Sequence, residues 1–268
     1  MRYNFFSHNG KLLPADQALV PLAGIEYAYG FGVYESVRFS KGKFYFLAEH
    51  CDRLLQSAKQ IELEHDFTSE FVVKSVKELV EKNQVEACNI KIMLIGGENP
   101  DLYVICLNPL FPRRESYKNG VLCTTFEYER DFPAAKTLNM LPSYLAYRQA
   151  KSAGAYEALL INRRGCITEG TRSNFFVVKD RAIIGPPGTD ILPGITRAKV
   201  LDVASEQGFV VTEEPIPLTS VDQYDGAFLT STSAKIMPVR QIGEKIIGPP
   251  PPGLKRLMVA FDEFLATI

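Results

Sequence analysis

The run Ile191-Leu192-Pro193-Gly194-Ile195-Thr196-Arg197 has the residue types and spacing to hold a phosphate. Pro193 and Gly194 interrupt regular structure, so a helix is expected to begin near Ile195 with Thr196 in its first turn. A helix start presents unpaired backbone N–H groups and the positive end of the helix dipole, and both favour an anion. The residues that follow are apolar at 200, 201, 203 and 204 with a polar face opposite, which predicts a helix over 195–207. Taken alone, Gly-x-Thr before a helix is a weak signal, since most such starts are plain caps. A second candidate surface is the strand-like stretch Gly32 to Phe39. Its period of two puts Tyr34, Ser36 and Arg38 on one face, where they could meet a substrate.

Composition bounds what such a site can serve. The chain has 268 residues, 46% of them hydrophobic, enough for a sizeable core in one large domain or two small ones. The net charge of −1 offers no basic excess for nucleic acid or an anionic membrane. Cys51, Cys88, Cys106, Cys123 and Cys166 are odd in number and widely spread, which argues against a disulfide framework and a structural zinc site. His8, His50 and His65 lack metal-ligand spacing, so no metal is expected. Met1-Arg2-Tyr3-Asn4 leads into no long apolar stretch, and no window approaches the ~18 apolar residues of a membrane span. The expectation is a cytoplasmic globular protein.

The elements that would position these residues read as two α/β domains of mixed strand order. Asn9-Gly10 between Phe5-Phe6-Ser7 and Lys11-Leu12-Leu13 predicts a hairpin, and Lys41-Gly42 predicts another between strands at 32–39 and 44–46. Helices are expected over 47–61 and from Thr68-Ser69-Glu70 onward, then strands at 91–95 and 102–107. The Pro-rich stretch Asn108 to Arg114 breaks the pattern, so the boundary is placed between about 108 and 120, dividing the chain into 1–112 and 113–268. Beyond it, strands are expected at 121–128, 156–162, 174–179, 181–184, 209–213, 226–230 and 236–240. Helices are expected at 143–153, 195–207 and 253–266.

Several segments occur together in an order that resembles the class IV aminotransferases, fold-type IV of the pyridoxal-phosphate enzymes. They are Tyr29-Gly30-Phe31-Gly32-Val33-Tyr34-Glu35, His50-Cys51-Asp52-Arg53-Leu54, Lys136-Thr137-Leu138-Asn139, Thr168-Glu169-Gly170-Thr171-Arg172-Ser173-Asn174, the Leu-Pro-Gly-Ile-Thr-Arg run, and Thr230-Ser231-Thr232-Ser233-Ala234 with Pro238-Val239. That family includes branched-chain and D-amino acid aminotransferases and aminodeoxychorismate lyases. The resemblance implies a smaller N-terminal α/β domain and a larger C-terminal mixed-sheet, barrel-like domain that binds pyridoxal 5′-phosphate. It also implies a homodimer, with amino acids and 2-oxo acids as small-molecule substrates.

The resemblance assigns roles residue by residue. Lys136 matches the lysine that forms the Schiff base and then moves the substrate proton; an amine that is partly desolvated beside other cations can serve. Glu169 matches the carboxylate that pairs with the pyridine nitrogen, with Ser173 and Asn174 beside the cofactor. Arg53 matches a phosphate-binding arginine, whose fork suits a phosphate; the alternative is a helix-surface pair with Glu49. Thr196 and Thr232 match two threonines of the phosphate cup, Ile195 adds a backbone N–H, and Leu192 lies against the ring. Tyr34, Arg38 and Ser233 fall on the substrate side.

Two departures bear on the substrate. Leu141 stands where branched-chain enzymes carry a tyrosine five residues after the lysine. The stretch Leu94-Ile95-Gly96-Gly97-Glu98-Asn99-Pro100-Asp101 is acidic and lacks the arginine that some members use for the α-carboxylate. Arg38, Arg148, Arg172 or the Thr232-Ser233 backbone must then supply that clamp. The reaction expected is transamination, with a lyase that expels pyruvate and a catalytically silent cofactor-binding protein as the alternatives.

Overall fold

The computed structural model describes residues 3–21, 23–109 and 111–268. The chain forms two compact units, Met1–Leu110 with Ala134–Asn139, and Phe111–Pro133 with Met140–Ile268. The segment 134–139, placed by sequence with the second domain, therefore belongs to the first unit.

The first unit opens with the hairpin β1 (Phe5–His8) and β2 (Lys11–Pro14). Asn9 and Gly10 both have positive φ, 50° and 79°, as a tight primed turn requires. A short helix α1 (Ile25–Tyr29), which the sequence reading lacked, precedes β3 (Gly32–Ser40) and β4 (Lys43–Tyr45). Then come α2 (Leu47–Gln60), α3 (Ser69–Lys82), β5 (Ala87–Ile95) and β6 (Asp101–Leu107). Thr68 caps α3, its hydroxyl accepting from Phe71 N–H at 3.2 Å. The strands form one antiparallel sheet in the order β2-β1-β6-β5-β3-β4. Its apolar face, Val33, Val37, Ile90, Ile92, Leu94 and Val104, packs on Leu54 and Ala58 of α2 and on Val72, Val76 and Leu79 of α3. Tyr34, Ser36 and Arg38 lie half-buried on the other face.

The strand alternation puts Glu35 in the buried row, with 0% exposure between Val33 and Val37. An ionised carboxylate there must be paired. His50 and Arg53, three residues apart on one face of α2, provide the partners. His50 Nδ1 lies 2.7 Å from Glu35 Oε2. Arg53 donates from Nε to Oε1 at 2.6 Å and from Nη2 to Oε2 at 2.9 Å. Burial alone would raise the Glu35 pKa, but His50 and Arg53 outweigh it and hold the carboxyl well below its usual range.

β4 covers β3 only at Arg38–Ser40, so the edge at Gly32–Tyr34 is open to another segment. The stretch 134–139 takes that edge. Tyr34 N–H donates to Lys136 O at 2.9 Å, Leu138 N–H donates to Gly32 O at 2.8 Å, and Val33 bridges Thr137. The loop bearing Lys136 is thus held as a strand would be.

In the second unit, α4 (Arg114–Asn119) leads to β7 (Val121–Glu127), α5 (Leu141–Ser152), β8 (Glu157–Ile161), β9 (Cys166–Gly170), β10 (Asn174–Lys179) and β11 (Ala182–Gly185). Then follow α6 (Ile195–Glu206), β12 (Val210–Glu213), β13 (Ile216–Pro217), β14 (Gly226–Ser231), β15 (Lys235–Ile242), β16 (Lys245–Ile246) and α7 (Pro252–Thr267). Neither α4 nor β9 was expected from sequence. Six strands run β10-β14-β15-β7-β8-β9 and close on β10 through the single pair Glu169–Asn174, which makes a barrel. Its interior holds Cys123, Leu159, Ile167, Phe175, Leu229 and Met237. Outside, Ala146 and Ala150 of α5 let that helix lie close on Ala158 and Leu160 of β8. Among the described residues no helix is long and apolar enough to cross a membrane.

Two outcomes follow from the first unit. A Cβ on Gly32 would lie 2.6 Å from Leu94 O, a backbone atom that cannot swing away. Gly32→Ala should cost about 2 kcal/mol, read from the denaturant midpoint, because the strand edge that holds Leu138 must shift. Glu35→Ala should cost about 3–5 kcal/mol at neutral pH, since it strands two buried partners. The Glu35 contribution is full above its unfolded pKa of ~4.3 and is lost as pH falls toward its lower folded value. The stability gap between wild type and Glu35→Ala should therefore narrow on acidification below about pH 4. A gap independent of pH in acid urea titrations would contradict this pairing.

Candidate active site

The expected site residues fall in both units. In the first, Lys136 is placed by the strand-like pairing just described, and its own N–H donates to Ser57 Oγ at 3.2 Å. The Lys136 ammonium lies 4.8 Å from the centre of the Tyr34 ring. Among the described residues no carboxylate lies within salt-bridge reach of it. Lys91, opposite Ser36 in the sheet, sits 5.4 Å from the same ring. A primary amine on an aromatic face, with a second cation nearby and no fixed counter-charge, has the surroundings a covalent amine needs. Arg38 stacks on Tyr45 at 5.4 Å. Arg53 is nearly buried, and Glu35 rather than a solvated neighbour sets the plane of its guanidinium.

In the second unit the barrel seam gathers most of the rest. Glu169 ends β9 and is 4% exposed. Arg130 Nη1 donates to its Oε1 at 2.9 Å, and Leu192 N–H donates to its Oε2 at 3.2 Å. Arg130 is oriented in turn by Pro133 O at 3.2 Å and Phe132 O at 3.3 Å. Asn174, paired with Glu169 across the seam, donates to Leu192 O at 2.8 Å and reaches Glu169 Oε2 at 3.5 Å. Asn174 also approaches Gly194 so closely that a Cβ there would fall 2.1 Å from its Oδ1. Glycine at 194 is thus required by proximity, and α6 begins beside the seam.

Gly194 is the N-cap of α6, no side chain caps that end, and Thr196 is 8% exposed. The uncapped amides, with a hydroxyl in the first turn, form a donor set suited to a phosphate. Ile195 opens the helix as expected. Thr230, the partner of Asn174 in the sheet, has a buried hydroxyl with no hydrogen-bond partner among the described residues. Thr232 and Ser233 lie in the turn just beyond it, which is tied down by Ala234 N–H to Ser231 Oγ at 3.2 Å and by Tyr117 OH to Ala234 O at 3.1 Å. The seam thus brings together Glu169, Asn174, Leu192 and the start of α6, with the Thr232 turn leaving the adjacent strand. Ser173 points elsewhere: its hydroxyl donates to Glu157 Oε2 at 3.3 Å.

Sequence reasoning missed three participants. Glu157 is 1% exposed and accepts from Thr171 Oγ1 at 2.5 Å as well as from Ser173, which fixes the 171–173 turn over the barrel end. Its signal was a lone acid opening an apolar strand. His50 was quoted beside Arg53 without a role, and the charge in the buried row of β3 could have named it. Arg130 left no local signal, since it reaches Glu169 across 39 residues.

Each unit, taken by itself, carries groups that suit pyridoxal 5′-phosphate: the Lys136 amine in the first, and in the second a buried carboxylate with a backing cation and an uncapped helix start with a nearby unsatisfied hydroxyl. Comparison with known proteins agrees. The family model for amino-transferase class IV matches residues 32–242. A D-alanine aminotransferase of Bacillus licheniformis is 35% identical over 257 residues, covering 91% of this chain and 90% of that protein. The crystal structure of a branched-chain aminotransferase from Thermoproteus uzoniensis, solved with norvaline, superposes with a TM-score of 0.89 at 26% identity, over 98% of this chain and 95% of that one. A branched-chain amino acid aminotransferase from Thermobaculum terrenum in its PLP-form gives 0.87 at 26% identity, over 98% and 94%. Fold, site chemistry and relatives agree, and the chain belongs to the class IV aminotransferases.

Proposed function

We propose that this aminotransferase holds pyridoxal 5′-phosphate on Lys136 and moves an amino group from an amino acid to a 2-oxo acid. The observation that carries the assignment is the Lys136 amine, held over Tyr34 by backbone pairing and free of any carboxylate among the described residues. When bound, the cofactor supplies an electron-accepting ring that stabilises negative charge at the substrate Cα. Lys136 Nζ would anchor the cofactor and would serve as the base that takes the substrate Cα proton and as the acid that gives a proton back to the acceptor. Glu169 would accept the N–H of the pyridine ring, its carboxylate aimed by Arg130 and the Leu192 N–H. The amides of Ile195 and Thr196, with the Thr196 and Thr232 hydroxyls and Arg53, hold the phosphate. Asn174 and Ser173 fix the seam beside the ring, and Leu192 packs on its face. Tyr34, Arg38 and Ser233 meet the substrate.

The relatives are named as aminotransferases, which favours transamination over the lyase reading and over a silent binding protein. Norvaline in one related structure supports an amino acid substrate here. We assign a cytoplasmic location: the five cysteines are buried thiols, as suits a reducing compartment. We also assign a homodimer, supported by the family and by apolar side chains exposed on the first unit at Leu19, Val20, Ile25 and Tyr29.

Lys136→Ala should lower turnover at least about a hundredfold and remove the visible absorption of the cofactor-loaded protein. Retained turnover would refute the assignment of Lys136. A panel of L- and D-amino acids with a 2-oxo acid acceptor names the donor. Sedimentation equilibrium should give twice the 29.9 kDa chain mass, and a monomer at micromolar concentration would contradict the dimer.

A further inference from the structure

We propose that Arg197 and Glu213 are positioning residues whose ion pair closes the segment carrying Leu192, Ile195 and Thr196 and so sets the grip on the cofactor phosphate. The inference rests on the pyridoxal-phosphate reading above and names what shapes its phosphate end. Glu213 ends β12 and lies opposite Gly185, the last residue of β11, in their parallel pairing. Its backbone is held there, because Glu214 N–H donates to Gly185 O at 2.9 Å. Its carboxylate then reaches two points of the chain that follows β11. Gly188 N–H donates to Oε2 at 2.9 Å, and Arg197 Nη2 donates to Oε1 at 2.6 Å. One side chain thus staples residue 188 to residue 197, and Leu192, Ile195 and Thr196 lie between them.

Arg197 also seats the start of α6 on the barrel. Side chains alternate along β10: Phe175 and Val177 belong to the barrel core, so Asn174 and Phe176 share the outer face. Asn174 lies against Gly194, and the Arg197 guanidinium lies over the Phe176 ring, 5.8 Å from its centre. Phe176 is fully buried and stacks on Phe228 at 5.0 Å. Residues 194 and 197 are three apart, so they fall on one side of the helix. The first turn of α6 therefore rests on two successive outward residues of β10, with Ile195 and Thr196 between the two contacts.

The seating of Arg197 is itself unfavourable in one respect. Its side chain is 16% exposed, and its buried Nε has no hydrogen-bond partner among the described residues. A buried donor left unpaired is destabilising. Departures of this kind gather where a site must keep one geometry. Amides hold an oxyanion tightly only when they are aimed beforehand, so a first turn free to tilt would hold phosphate less well.

In the test, the full-length protein is dialysed to equilibrium in phosphate-free buffer with pyridoxal 5′-phosphate, or with pyridoxal, which lacks the phosphate. Arg197→Gln and Glu213→Ala should each weaken pyridoxal 5′-phosphate about tenfold and leave pyridoxal unchanged, as loss of a charge-assisted hydrogen bond predicts. The double variant should be no weaker than either single one, since both remove the same contact. Arg197→Lys should restore part of the affinity. Glu213 is half-exposed, so its replacement leaves the core intact. It also separates positioning from simple charge: removing an acid would by charge alone tighten an anion, whereas the staple predicts weakening. Unchanged or tighter pyridoxal 5′-phosphate in Glu213→Ala, or an equal loss for both ligands, would overturn the proposal. If the variants lost the preference for the phosphorylated ligand but wild type transferred no amino group from any donor, the aminotransferase reading would fail and the staple would stand.

Discussion

The second unit is a barrel that closes through one residue pair, Glu169 with Asn174. A seam that narrow cannot hold by backbone pairing alone. It is held from inside by Glu157, which gathers the hydroxyls of Thr171 and Ser173, and from outside by Arg130, which pins the Glu169 carboxylate. The consequence is chemical. A carboxylate is kept nearly buried, paired with Arg130, and aimed beside the uncapped start of α6. Closing the barrel and bringing Glu169, Asn174, Leu192 and the start of α6 together are the same structural event.

The first unit solves a related problem with different parts. A reactive lysine needs a fixed backbone and a free amine, and a loop usually gives neither. Here β4 is short, so the edge of β3 is left open and accepts 134–139 as a partner. The opposite face of β3 carries Glu35 into the core, and its pairing with His50 and Arg53 locks α2 to the sheet. One strand thus orders a lysine at its edge, a tyrosine on its open face and an arginine through its buried face. Each depends on the alternation of side chains along β3.

Much of this was legible in the sequence, for identifiable reasons. The hairpins at Asn9-Gly10 and Lys41-Gly42 were readable because both turn residues must take positive φ. Helix α6 began where Pro193-Gly194 required it to. The strand β9 was missed because Cys166-Ile167-Thr168-Glu169-Gly170 reads as polar, and its burial comes only from closure of the barrel. The place of 134–139 was missed because an edge pairing across a hundred residues leaves no local pattern. The resemblance assigned Arg53 to a phosphate, but its lock on Glu35 needed the fold. Glu157 and Arg130 are likewise products of distant contacts.

The central claim is that Lys136 holds the cofactor covalently. Borohydride reduction of the holoenzyme, followed by peptide mass mapping, tests it most directly. The account predicts that the pyridoxyl phosphate mass falls on the peptide containing Lys136-Thr137-Leu138-Asn139. The label on another lysine, or no label on a fully loaded protein, would contradict it.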